Sequence, residues 1–481
     1  MPGIAVGLPS ETLSLAYLAA GVLFILGLRD MTHPRTARRG NLISATGMAV
    51  AVGITILWFE ILSPLVLFAA LLVGAGIGTW LAVTVDTTDM PQLVGLFNGF
   101  GGGASALVAG AELIDLLGPS ASAALPVETT TAAAITGLIG AVTFWGSVVA
   151  AGKLQGALKD PIRYSGENVL KLAVLVVAVV AGASLVAQNQ LFGVLPAAEW
   201  VPSYWVVVAA ASVLGVLLVI PIGGADMPVV IALLNACSGL AAATTGFALD
   251  NSVLIIAGTL VGASGVILTV IMCRSMNRTL TNVLFSGYGA TDSSDEDSSD
   301  IYEGNVMSTS PEEVAMLLDI ARRVVVVPGY GMAVGQAQHA VAELATLLEA
   351  NDVEVVFGIH PVAGRMPGHM NVLLAEANVS YEQMQELEAV NPTFSETDVV
   401  IVTGANDVVN PTALSGEASP IAGMPVLHVW DAQTVIVNKR SLSPGYSDIP
   451  NPLFTNDNTY MLFGDAREAM QALVKAYKEG H

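Results

Sequence analysis

Four short stretches in the last third of the chain combine turn residues with the few charged groups that could hold a phosphorylated ligand. Gly329-Tyr330-Gly331-Met332-Ala333-Val334 follows the β-rich run VVVVPG (324–329) and leads into a helical pattern over roughly 333–350. A glycine turn there opens a helix whose free N–H groups can face a pyrophosphate. Such a motif is weak alone, and its place between strand and helix is what makes it informative. Gly364-Arg365-Met366-Pro367-Gly368-His369 follows a second strand, and its arginine can hold a phosphate at the start of the next helix. Gly404-Ala405-Asn406-Asp407 follows another, where amide and carboxylate suit a nicotinamide amide or a ribose, although Asn-Asp is also an ordinary turn. Lys439-Arg440-Ser441 offers two cations and a hydroxyl after a further strand, or else a solvated loop.

The second strand separates two kinds of dinucleotide. A site for an unphosphorylated ribose expects an acid at that strand's end. Here the strand ends Gly358-Ile359-His360-Pro361, and Glu354 and Asp352 stand at its start. The absence favours a 2′-phosphate, hence NADP(H), with Lys439, Arg440 and Ser441 beside it. His360, His369 and His428 show no metal-ligand spacing, no metal site is expected, and no Ser/His/Asp order suggests acyl transfer. Any redox chemistry then belongs to the cofactor.

The elements that must position these loops read as an alternating series. Strands are expected at 324–329, 353–359, 398–404, 425–430 and 434–438, and helices over 333–350, 368–377, near 381–390 and over 465–477. Ser310-Pro311-Glu312-Glu313 is a capping box opening a further helix to about Arg322. Runs of β-branched residues between helices indicate a doubly wound, Rossmann-like parallel sheet covered on both faces.

The rest of the chain belongs to another solvent. Of 481 residues 53% are hydrophobic and only 12% charged, where an ordinary soluble domain has about 25%. Nine apolar stretches, at about 12–28, 41–59, 62–84, 92–116, 132–152, 169–188, 203–222, 227–249 and 251–272, approach the roughly 20 residues that cross a bilayer. The first has no basic region ahead of it and reads as a membrane helix, not a cleaved signal. All ten bases of residues 1–278 fall on one side: Arg29, Arg35, Arg38 and Arg39, then Lys153, Lys159, Arg163 and Lys171, then Arg274 and Arg278. That asymmetry places the N-terminus outside and the C-terminal part in the cytoplasm. The net charge of −22 excludes nucleic acid as a partner. Residues 279–481 hold 8 bases and 27 acids, so the excess acid is theirs. ATDSSDEDSSD (290–300) reads as a disordered, self-repelling linker. Three parts are expected: a membrane domain over 1–278, an acidic linker over 279–305 and a nucleotide-binding domain over 306–481.

Polar groups within a span are functional candidates by default. They are Asn98 in the fourth span, Asp226 and Asn235 in the eighth with Ser238 on the face of Asn235, and Ser264 in the ninth; Glu112 and Asp115 stand at the outer end of the fourth. Gly74 with Gly78, and Gly99 with Gly103, have the spacing that lets helices approach closely.

The stretches Gly329 to Val334, AGRMPGHMNVLLAEA (363–377), GANDVVNP (404–411), SPIAGMPVLHVW (419–430), KRSLSPGYSDIPNPLF (439–454), MLFGDA (461–466), ADMPVVIALLNACSG (225–239) and IMCRSMNR (271–278) resemble the beta subunit of the proton-translocating NAD(P) transhydrogenases. The resemblance covers nearly the whole chain. It implies that this chain binds NADP(H) and that alpha subunits supply the NAD(H) domain and further membrane helices, in a dimer of the alpha/beta unit within a cell inner membrane. It also implies a glycine-rich loop at Gly329, Gly331 and Val334, phosphate contacts at Arg365, Lys439 and Arg440, and a lid at Gly445-Tyr446. Asp407 with Asn406 takes the family's acidic position near the nicotinamide, thought to link nucleotide binding to proton movement. One departure stands out: better-known members carry a histidine in the fourth span where this chain has Asn98, and no span here holds a histidine. Asparagine orders water but cannot carry a proton near neutral pH. A channel or secondary transporter gated by a nucleotide-sensing domain keeps the same layout, but no filter-like TVGYG and no inverted repeat supports it. A haem-bearing electron carrier would need paired histidines within spans, which are absent.

Overall fold

The computed structural model describes residues 10–58, 64–116, 126–158, 162–191, 201–285, 302, 306–415, 419, 421–445 and 447–480. Two compact units emerge, Met1–Pro221 with Leu233–Ile267, and Ile222–Ala232 with Leu268–His481. Most of the acidic linker lies outside the described residues.

Nine helices among the described residues are long and apolar enough to cross a membrane. They are α1 (Ser10–Met31), α2 (Pro34–Trp58), α3 (Pro64–Thr84), α4 (Met90–Leu116), α5 (Val127–Leu154), α6 (Glu167–Leu191), α7 (Val201–Val219), α8 (Met227–Ala248) and α9 (Ser252–Ser275). Lipid is as apolar as leucine, so close backbone packing and hydrogen bonds must hold such helices together. A β-carbon on Gly140 of α5 would lie 2.4 Å from the carbonyl oxygen of Gly102 on α4, so only glycine permits this crossing. The hydroxyls of Thr136 on α5 and Thr244 on α8 meet at 2.8 Å. Tyr204 on α7 fills the notches at Gly110 and Gly137 and donates its hydroxyl to the Ala106 carbonyl. Gly99 and Gly103 pack against Ser147 and Phe144 of α5, as their spacing predicts. Gly74 and Gly78 do not: among the described residues no atom stands within 4 Å of a β-carbon at either, because the apolar window of α3 is not buried against them.

After the short α10 (Leu280–Phe285), the α/β region opens with β1 (Met307–Ser308) and α11 (Pro311–Asp319). The capping box is present, with the Ser310 hydroxyl accepting from Glu313 N–H and the Glu313 carboxylate accepting from Ser310 N–H. Then come β2 (Arg323–Pro328), α12 (Tyr330–Val334), α13 (Gln338–Ala350), β3 (Glu354–Ile359), α14 (His369–Glu376), β4 (Met384–Glu386), α15 (Leu387–Val390), β5 (Val399–Thr403), β6 (Thr434–Lys439), β7 (Thr459–Phe463) and α16 (Ala466–Gly480). All seven strands are parallel in the order β1-β7-β6-β5-β2-β3-β4. Alternate residues of each strand enter separate cores: Val324, Val326 and Phe357 on one face, Val325, Val327 and Val356 on the other.

Three expectations change. The helix over 333–350 is two helices: Gln336 adopts φ +49° and Ala337 N–H bonds back to Met332 O at 2.9 Å, which is a helix stop. PVLHVW (425–430) is not a strand, because side chains take its backbone partners. His360 Nε2 meets Pro425 O at 2.7 Å, Asn391 Nδ2 meets Val426 O at 3.0 Å, and Asn391 Oδ1 accepts from His428 N–H at 3.2 Å. Near 381–390 the chain forms β4, paired to β3, before α15. Strands β1 and β7 were not read from the sequence.

Candidate functional site

The sheet order reverses between β2 and β5: successive strands run outward from β2 through β3 to β4, and from β5 through β6 to β7. In open parallel sheets the crevice beyond the carboxyl ends at this switch point is where ligands bind. The loops with the candidate residues follow the carboxyl ends of β2, β3, β5 and β6.

The first two centre loops pack backbone on backbone. Gly329 N–H donates to Thr403 O at 2.9 Å and Gly331 N–H to Gly404 O at 2.8 Å. A β-carbon on Gly329 would lie 2.4 Å from Ala405 Cα, and one on Gly404, which has φ +67°, would lie 2.3 Å from Met332 N. Met332 and Ala333 are fully buried, so their side chains serve the core and only their backbone is left for a ligand; Val334 is half exposed.

Tyr330 joins this pair of loops to the one after β3. The Arg365 guanidinium lies 4.3 Å from the centre of the Tyr330 ring, which holds the cation over an aromatic face. Gly364, at φ +108°, lets the loop close on His369, whose Nδ1 accepts from Arg365 N–H at 3.0 Å. Burial, and then the charge of Arg365, push the His369 imidazole down to about 4, so it is neutral at pH 7. Burial also pushes His360 down to about 4. Met366 is buried, and Pro367 lies partly exposed between it and Gly368.

On the other side, Asp407 organises the loop after β6. Its carboxylate accepts from Ser447 N–H at 3.1 Å and Ser447 Oγ at 2.6 Å, and a β-carbon on Gly445 would come within 2.6 Å of it. In one orientation the Asn406 amide oxygen accepts from Asn451 Nδ2 at 3.0 Å. Turned so that its oxygen faces the other side, it accepts from Gly445 N–H at 2.6 Å and Lys439 Nζ at 3.3 Å. Lys439 also donates to Ser443 O and sits 5.1 Å from the Phe454 ring centre. Burial lowers its ammonium to about 8, partly offset by the Asp407 charge. Arg440 and Ser441 are exposed at the rim. Tyr446 lies outside the described residues. Ser447, Asn451, Phe454 and His369 escaped the sequence reading as members of this arrangement; Ser447, Asn451 and Phe454 sit within the stretch that resembles the transhydrogenases, which was their only signal.

The acids near the second strand are accounted for elsewhere. Glu354 pairs with Arg323 at 2.5 Å at the amino ends of the strands, and Asp352 occupies a turn at φ +61°. Arg467, at the start of α16, donates to Gly335 O at 2.9 Å and Gln336 Oε1 at 2.6 Å.

Comparison with known proteins matches nearly the whole chain to one family. The family described as NAD(P) transhydrogenase beta subunit matches residues 13–476. The NAD(P) transhydrogenase subunit beta of Rhodospirillum rubrum is 45% identical over 464 residues, covering 96% of this chain and 98% of that protein. The same subunit from a named strain of that organism gives the same values. The chain belongs to the NAD(P) transhydrogenase beta subunit family. A beta subunit implies an alpha subunit beside it, and nine membrane-capable helices fit a multi-pass membrane protein.

For this transhydrogenase subunit the membrane candidates fall into separate settings. Asn98 is buried in α4, whose Gly101 faces the Ser238 hydroxyl of α8 at 2.5 Å from a β-carbon position. Asn235 is partly buried on α8. Ser264 faces outward and bonds to its own helix at Val261 O. In the other unit, Asp226 is paired with Arg278.

Proposed function

We propose that this chain binds NADP(H) at the carboxyl ends of β2, β3, β5 and β6, and couples hydride exchange with NAD(H) on an alpha subunit to proton movement across a membrane. One observation supports the choice of NADP(H) most directly: the acids of the second strand are engaged at the opposite end of the sheet, while Arg365, Lys439 and Arg440 follow the binding ends. The residues fit the cofactor. Gly329 to Val334, Gly404 and Ala405 would let the pyrophosphate approach the backbone closely, the N–H groups of Gly329 and Gly331 being spent on Thr403 O and Gly404 O, with Gly364 to Pro367 beside them. Lys439, Arg440 and Ser441 would hold the 2′-phosphate, Asn406 and Asp407 would orient the nicotinamide end, and Gly445 with Tyr446 would cover it.

When bound, the cofactor supplies the hydride chemistry. This chain's residues bind and orient it, so no acid or base is needed at the transferring carbon. NAD(H) sits on the partner, the assembly is a dimer of alpha/beta units in a cell inner membrane, and the α/β region is cytoplasmic. The proton path passes Asn98, Asn235 and Ser238, with Asp226 at the cytoplasmic end and Glu112 and Asp115 at the outer one; Ser264 completes the set. Since Asn98 cannot carry a proton, an alpha subunit contributes a titratable residue beside it. Coupling is conformational: protonation alters the hold on NADP(H), and by linkage the nucleotide alters proton affinity. One charge moving through 100 mV supplies about 2.3 kcal/mol, which shifts a near-balanced exchange well over tenfold.

The test is reconstitution with the alpha subunits in vesicles, following NADPH formation from NADH with and without an inward proton gradient. Acceleration by the gradient is expected. Hydride transfer indifferent to the gradient removes the coupling, and none at all returns the gated-transporter reading.

A further inference from the structure

Tyr302, at the entry to the α/β region, touches the candidate site twice through one intermediary each time. Its hydroxyl accepts the Asn451 N–H at 2.7 Å. Asn451 is fully buried, and its Nδ2 donates to the Asn406 carbonyl at 3.2 Å while lying 3.0 Å from the Asn406 amide. The Tyr302 ring also stacks on Phe454, with centroids 6.2 Å apart and planes 26° from parallel. Phe454 is itself fully buried and carries Lys439 over its ring.

We propose that Tyr302 is a positioning residue for nucleotide binding, holding Asn406 through Asn451 and Lys439 through Phe454. This rests on the reading of Asn406 and Lys439 as NADP(H) contacts. Without the Tyr302 hydroxyl the Asn451 N–H is buried and unpaired, so Asn451 must shift towards another acceptor and release Asn406. Without the ring, the support under Phe454 and Lys439 goes as well. Tyr302 then helps to set the nucleotide affinity from the segment that joins the α/β region to the membrane helices.

A double-mutant cycle with NADPH as the probe tests it on the full-length chain. Tyr302→Phe keeps the ring and is expected to weaken NADPH binding about fivefold and to lower the thermal midpoint by a few degrees. Tyr302→Ala weakens it further. Asn451→Ala combined with Tyr302→Phe should bind no more weakly than Asn451→Ala alone, because the hydroxyl acts through that side chain. In the reconstituted enzyme the KM for NADH should stay unchanged. Losses that multiply in the double variant, NADPH binding by Tyr302→Phe equal to the parent, or a KM for NADH that rises in step, each overturn the inference. If Asn406→Ala alone binds NADPH like the parent, the site reading itself fails, and this inference with it.

Discussion

Lys439 and the two buried histidines are tuned by the same force in ways that can be measured. Burial opposes the charged form of each, so the Lys439 ammonium titrates at about 8 and the His360 and His369 imidazoles at about 4. For Lys439 the folded value lies below the ordinary 10.5, so the folded chain holds fewer protons between pH 8 and pH 10.5 and gains stability from this group as pH rises through that window. Anion binding runs the other way, since the phosphate needs the charged form. NADPH affinity is expected to fall as pH passes about 8, and Lys439→Arg to hold it level to at least a unit higher; an identical pH profile in both proteins contradicts the assignment. For the histidines the folded values lie below the ordinary 6.5. Stability from them is complete above pH 6.5 and is lost as pH falls towards 4, with a slope of up to about 1.4 kcal/mol per pH unit for each. Urea unfolding at pH 7, 6 and 5 should show this decline, and His360→Gln should make it shallower while keeping a donor for Pro425 O.

The turns after β2 and β5 are coupled elements, each shaped by the other. Gly404 is at φ +67° with Met332 N 2.3 Å from its would-be β-carbon, so Gly404→Ala adds left-handed strain and overpacking together. We expect a loss of about 2–4 kcal/mol, read as a lower unfolding midpoint, together with loss of NADPH binding. The serine variant should do no better, because its β-carbon meets the same atoms. A parent-like midpoint for Gly404→Ala would mean that the two loops are not locked. The helix stop at Gln336 belongs to the same scale: it confines α12 to five residues, so the glycine turn offers a short backbone cradle and not the end of a long helix.

At the scale of the molecule, the ten bases of residues 1–278 predict a direction across the membrane. With the N-terminus outside, a cysteine replacing Asp250, in the turn between α8 and α9, should react with a membrane-impermeant thiol reagent in intact cells. One replacing Thr32, between α1 and α2, should react only after permeabilisation. The reverse pattern would invert the topology and put the NADP(H) reading on the wrong side of the membrane. The native thiols leave a quiet background, Cys273 being buried and Cys237 partly so.

Nine membrane-capable helices, a parallel α/β region and the place of the four candidate loops at strand ends were legible in the sequence because each depends on local pattern: apolar length, β-branched runs, and glycines beside strand ends. What depends on distant partners was not. PVLHVW has strand composition, yet His360 and Asn391 take its hydrogen bonds. Gly74 and Gly78 have packing spacing, yet among the described residues nothing lies within 4 Å of a β-carbon at either. Asn406, Asp407 and Lys439 were chosen one loop at a time, and their common network through Gly445, Ser447, Asn451 and Phe454 exists only after β5 and β6 pair and the later loop folds back. Sequence alone determined which residue types stand at strand ends and which segments prefer lipid. Tertiary structure decided which of them meet, because a hydrogen bond or a ring contact depends on distance in space, and the strand order brings together loops far apart in the chain.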